Sequence, residues 1–99
     1  MLARIGYPPD WEMREKGDFE LPDGAEFYHT PGHGYLMIDI RKLPAKVSEY
    51  DYIKGNYVFL EGDCSATMWM VDMGLIEKKG YMGSYWNEIE RENVSLITN

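Results

Sequence analysis

Between residues 25 and 61, β-favouring apolar segments alternate with glycine-rich punctuation, and this spacing predicts two consecutive hairpins. Ala25–Thr30 leads into Pro31-Gly32-His33-Gly34, a turn whose two glycines are able to take positive φ, and Tyr35–Ile40 returns as a strand. Glu49–Ile53, a Lys54-Gly55-Asn56 turn and Tyr57–Glu61 make the second pair, with Tyr50, Tyr52, Tyr57 and Phe59 as cross-strand aromatics. Arg41–Val47 connects the hairpins, and Pro44 limits any helix there to about one turn.

A helix is predicted next. Asp63 suits an N-cap and Gly74 a C′ position. Ala66, Trp69, Met70 and Met73 fall at i, i+3, i+4 and i+7 between them. Met68 and Val71 lie off that stripe, so the helix is apolar most of the way round and must be covered on two sides or serve as a contact surface. Beyond it, Glu77-Lys78-Lys79-Gly80 reads as a turn before Tyr81–Trp86, Asn87–Glu92 fits a short helix or a strand, and Val94-Ser95-Leu96 alternates like a strand.

Residues 1–24 differ from this body. Pro8-Pro9, Gly17, Pro22 and Asp23-Gly24 break the segment into turns without sustained periodicity, which predicts an irregular arm. Disordered tails are poor in large apolar groups, whereas this arm carries Ile5, Tyr7, Trp11, Met13, Phe19 and Leu21. It is expected to pack on the body, with one helical turn near Trp11–Lys16. The sequence therefore predicts a single α+β domain over 1–99: a small antiparallel sheet of four to five strands packed by one main helix, an irregular arm at 1–24 and a body at 25–99.

Composition narrows the function classes. The 99 residues carry 17 acids against 10 bases, a net charge of −7, so direct binding of nucleic acid through its phosphates is disfavoured. Residues 1–26 hold seven acids and three bases, residues 27–60 three and four, and residues 61–99 seven and three, which places the acidic surface at the two ends. No apolar run approaches the ~20 residues of a membrane span, and the first residues lack the apolar core of a signal peptide. The single Cys64 forms no intrachain disulfide and suits a reducing, cytoplasmic compartment.

Few residues invite catalytic roles. Cys64 would sit in the first turn of a helix capped by Asp63, where a thiol's pKa falls, and His29 or His33 would supply a base. Glu61 and Asp63 oppose a thiolate there, and a lone cysteine more often packs as a small hydrophobe. His29 and His33 flank a turn, and without paired cysteines or a third histidine they make a poor zinc site. Pro31-Gly32-His33-Gly34 lacks the Gly-Lys-Ser/Thr ending of a phosphate loop. Glu61-Gly62-Asp63 and Glu88-Ile89-Glu90 read as solvated surface. No cofactor, metal ligand set or catalytic residue is expected. Seven methionines and three tryptophans, with Met68, Trp69, Met70 and Met73 on the predicted helix, suit either an adaptable core or a repackable partner surface.

His29-Thr30-Pro31-Gly32-His33-Gly34-Tyr35-Leu36, Tyr50-Asp51-Tyr52 and Tyr57-Val58-Phe59-Leu60-Glu61-Gly62-Asp63-Cys64 together resemble a group of short uncharacterised proteins of bacteriophages, prophages and plasmids. That group shares a Gly-His-Gly-aromatic-Leu turn, a Tyr-x-Tyr strand and a Val-x-Leu-Glu-Glu-Asp-Cys-Asp run leading into a helix. The likeness covers about a third of the chain; Gly62 and Ser65 replace two acids of the run, and the acidic arm lies outside it. The resemblance implies a mobile-element origin in a bacterial host, where small acidic phage proteins often inhibit host defence, and it carries over no catalytic residue.

These features favour a non-enzymatic binding protein that engages a host protein or ribonucleoprotein complex, of the anti-CRISPR or anti-restriction kind, and occludes its nucleic-acid-binding surface. Its expected contact residues are Asp10, Trp11, Glu12, Glu15, Asp18, Trp69, Met73, Trp86, Glu88 and Glu90. The alternatives are a small enzyme using Cys64 with His29 or His33, and an accessory subunit that forms a homodimer through the 63–74 helix.

Overall fold

A computed structural model describes residues 3–62, 65–75 and 95–97. Both hairpins are present. The strands β1 (Arg4–Ile5), β2 (Glu15–Lys16), β3 (Ala25–His29), β4 (Gly34–Asp39), β5 (Ala45–Val47), β6 (Tyr52–Lys54), β7 (Tyr57–Glu61) and β8 (Ser95–Ile97) accompany one helix, α1 (Ser65–Asp72), among the described residues. Six strands form one sheet in the order β1-β6-β7-β4-β3-β2, antiparallel except for β1, which runs parallel to β6. β5 and β8 make a separate antiparallel ladder. The α+β class stands, with more strands in the main sheet than the expected four or five.

The added strands come from the arm, which is not irregular throughout. β1 caps one margin of the sheet and β2 the other, so the segment between them crosses the sheet from edge to edge. Each is only two residues long, too short to display an alternation. The helical turn expected near Trp11 is a 3₁₀ turn over Trp11–Met13, entered through Asp10 in the left-handed region at φ 59°. Glu49–Asp51, expected within a strand, instead lies in a turn closed by the Asp51 N–H donating to the Ser48 carbonyl at 3.1 Å. β5 runs through the stretch expected to be a connector.

The sheet is apolar on both faces. On one, Ala25, Phe27, Leu36, Ile38, Val58 and Leu60 pack with β5 and α1, whose Ala66 and Trp69 are buried. On the other, Tyr35, Tyr52 and Phe59 pack under Trp11, with Tyr28, Met37 and Tyr57 around them. Gly55, at φ 61°, takes the first central position of the two-residue β6–β7 turn, as a type II′ hairpin requires. The expected helix stop is also present. Gly74 at φ 75° lets its N–H donate to the Val71 carbonyl and the Leu75 N–H to the Met70 carbonyl, a Schellman closure. The expected N-cap, Asp63, and the segments Tyr81–Trp86 and Asn87–Glu92 lie outside the described residues. No helix among the described residues is long and apolar enough to cross a membrane.

Candidate functional site

The tyrosine-rich face is where the arm, the charges and an open cleft meet. Strand alternation alone places Tyr28, Tyr35, Tyr52, Tyr57 and Phe59 on one side, because β3, β4, β6 and β7 pair in a register that sets Tyr28 opposite Tyr35 and Tyr52 opposite Phe59. Trp11 enters this surface edge-on, its ring centroid 4.9 Å from Phe59 and 5.2 Å from Tyr28. Tyr7 stacks against Trp11 and meets Phe59 edge-on. The Arg14 guanidinium lies 4.9 Å above the Trp11 ring and also donates to the Trp11 carbonyl. Aromatic and cation–π contacts thus pin the arm where its backbone pairing is sparse.

This places the expected contact residues in different settings. Asp10, Glu12, Glu15 and Asp18 are exposed and follow one another along the arm and the β2 margin. With Glu20 they make five carboxylates that form no ion pair with a described residue, since Lys16 is engaged by Glu26 and Lys42 by Asp23. Trp11 and Trp69 belong to the core instead. Trp11 is 7% exposed, and Trp69, 4% exposed, lies on the opposite face and donates its indole N–H to the Pro44 carbonyl at 3.1 Å. Both are too large and apolar to remain in water when a sheet face is available to cover them. Met73 is exposed beyond the C-terminal end of α1, away from the arm, whereas Met68 is buried. Trp86, Glu88 and Glu90 lie outside the described residues, as does Cys64.

The two imidazoles do not converge. His29 follows Phe27 on the helix-covered face, their rings 5.0 Å apart, while His33 stands against Tyr35 on the tyrosine side at 6.2 Å. Among the described residues no three side chains come together as a metal ligand set.

Sequence reasoning missed a cleft of about 370 Å³ beside the arm. Tyr35 and Tyr52 line it, edge to face at 6.0 Å, together with Tyr50, Arg4, His33 and Glu61. Arg4 donates to the Tyr52 hydroxyl at 2.9 Å, with its guanidinium carbon 5.6 Å from that ring's centre. Glu61 stands directly across the ladder from Tyr35. Burial pushes the Tyr35 phenol up to about 12, so it enters any reaction near neutrality as a hydrogen-bonding group and not as a base. The Tyr-x-Tyr spacing was the one signal available: Tyr50 and Tyr52 sit two apart and both line this cleft.

Behind the cleft lies a second polar cluster. Asp51 is wholly buried, accepting from the backbone N–H groups of Ser48 at 2.7 Å and Glu61 at 2.9 Å. The Ser48 hydroxyl reaches the same carboxylate at 3.3 Å and lies 3.1 Å from the Ser65 hydroxyl. Burial raises the Asp51 carboxyl to about 6, outweighing hydrogen bonds that favour the charged form. The cluster ties the β5–β6 turn, the end of β7 and the start of α1 together, which is a structural task. The opposite case is Asp39, whose carboxyl the Arg41 guanidinium holds below the usual range through two hydrogen bonds.

Compared with known protein families, curated proteins and solved structures, the chain matches none of them.

Proposed function

We propose that the protein is a non-enzymatic acidic binding protein that docks through its arm onto the basic nucleic-acid-binding surface of a host defence complex, of the restriction or CRISPR kind. The observation that carries this reading is the row Asp10, Glu12, Glu15, Asp18 and Glu20, exposed and unmatched by any described base. Trp11 supports it by fixing the backbone that bears the row. Carboxylates on a fixed frame give up less conformational freedom when they meet cations, and their field steers association. The left-handed backbone at Asp10 holds this segment in a conformation most side chains avoid.

The test is binding to such a complex, free of its nucleic acid, across ionic strength. Affinity falls at least tenfold between about 50 and 300 mM salt, because exposed charges are screened within ~10 Å at 0.1 M. The variant D10N/E12Q/E15Q/D18N weakens binding comparably while its melting temperature stays close to the parent's, and Asn at position 10 tolerates the left-handed backbone. Affinity indifferent to both salt and the neutralised row would remove the proposal.

A further inference from the structure

We propose that Phe19, between Asp18 and Glu20, receives an arginine side chain from the basic surface of the docked partner. The inference deepens the docking proposal and rests on it for the partner. Phe19 leaves 53% of its surface exposed, yet its ring is held in place. It meets the Phe27 ring edge to face, with centroids 4.9 Å apart and an interplanar angle of 66°. In such a pair Phe27 covers at most one face of the Phe19 ring, and a face is left for a second group. Gly17 makes room for the two rings, since a Cβ there would stand 3.2 Å from each. The backbone on either side is tied down. The Gly17 N–H donates to the Phe27 carbonyl at 2.8 Å, and the Ala25 N–H to the Pro22 carbonyl at 3.1 Å.

The neighbouring charges select the occupant. Lys16, Gly17, Asp18, Phe19 and Glu20 line one opening. Its one base, Lys16, is engaged by Glu26 at 3.1 Å, which leaves the Asp18 and Glu20 carboxylates without an ion pair to a described residue. An exposed aromatic ring with free carboxylates on either side of it in the chain suits a cation, and a planar one best. A guanidinium lies flat on a ring while its N–H donors reach carboxylates, whereas an ammonium is a compact, strongly hydrated point charge. The chain makes this pairing for itself elsewhere: Tyr7, Trp11, Tyr28, Tyr52 and Tyr57 each have a lysine or arginine over the ring. Phe19 has none among the described residues, so the place is open to a cation from outside.

Titration of the full chain with a capped peptide of three Gly-Arg repeats and with its Gly-Lys counterpart, followed by NMR at low ionic strength, tests it. The peptides match in charge and length. The expected result is a saturable shift of the Phe19 ring signals, with the arginine peptide bound about threefold or more tighter than the lysine peptide. Phe19→Leu keeps an apolar group but removes the π face, and it brings the two affinities together while the melting temperature stays near the parent's. The variant D18N/E20Q weakens both peptides. Equal affinity for the two peptides in the parent, ring signals that do not move, or an arginine preference that survives Phe19→Leu would each overturn the proposal. Those results leave the docking proposal standing, because its own test is the salt dependence of binding to the complex.

Discussion

Gly34 is a glycine for room and not for its backbone angle. The expected turn forms, closed by the Thr30 N–H donating to the His33 carbonyl, but neither Gly34 nor Gly32 takes the positive φ open to it. A Cβ on Gly34 would lie 2.5 Å from the end of the Phe27 ring, which is seated over the glycine across the ladder. Gly34→Ala therefore costs about 1–3 kcal/mol through overpacking, read as a lower denaturation midpoint. Trimming the ring in G34A/F27L recovers part of that loss, and a G34A protein as stable as the parent would refute the packing account. Asp51 makes a prediction of opposite character. Its folded-state carboxyl lies at about 6 against 3.8 for the free side chain, so the folded chain holds the extra proton between those values and stability falls as pH rises through that window. Lowering pH from about 7 to about 5 stabilises the fold by roughly 1–2 kcal/mol through this group. Thermal melts at several pH values measure it, and Asp51→Asn flattens the slope. The Asp39–Arg41 pair is lost only below the ordinary carboxylate range, outside this interval.

The arm is held by side chains more than by strand pairing. β1 and β2 contribute two residues each, while Trp11 buries its indole against Phe59 and Tyr28. Trp11→Ala removes that anchor at a cost of about 3–5 kcal/mol, with the loss concentrated in residues 4–16. Hydrogen exchange there rises well before exchange in β4 and β7, and uniform protection across the chain would show that the arm unfolds only with the whole. In α1 the expected amphipathic stripe is partly displaced. Ala66 and Trp69 are buried against the sheet and β5, Met68 off the stripe is buried as well, and Met73 on the stripe stays exposed.

Across the molecule, what could be read in advance followed from local signals. Tyr57–Glu61 and the Gly74 stop depend on alternation and a single positive φ, and both are where the pattern put them. The double-sided sheet had its trace in Tyr35-Leu36-Met37-Ile38, an unbroken apolar run that suits burial on both faces better than on one. What pairs with what over long separations could not be read. Nothing local announces that Arg4 lies beside Tyr52, 48 residues away, or that the cleft between them exists. The acids of the candidate site were visible as composition, but the burial of Trp11 depends on its long-range packing against Tyr28 and Phe59, which no local pattern shows. The arm meets its partners late in synthesis. Its residues leave the ribosome before any of their partners, yet β1 has no neighbour until β6 is made, and Trp11 has no seat until Phe59 arrives. Until the second hairpin has been synthesised the arm has nowhere to settle, and the aromatic side of β3 and β4 stays uncovered.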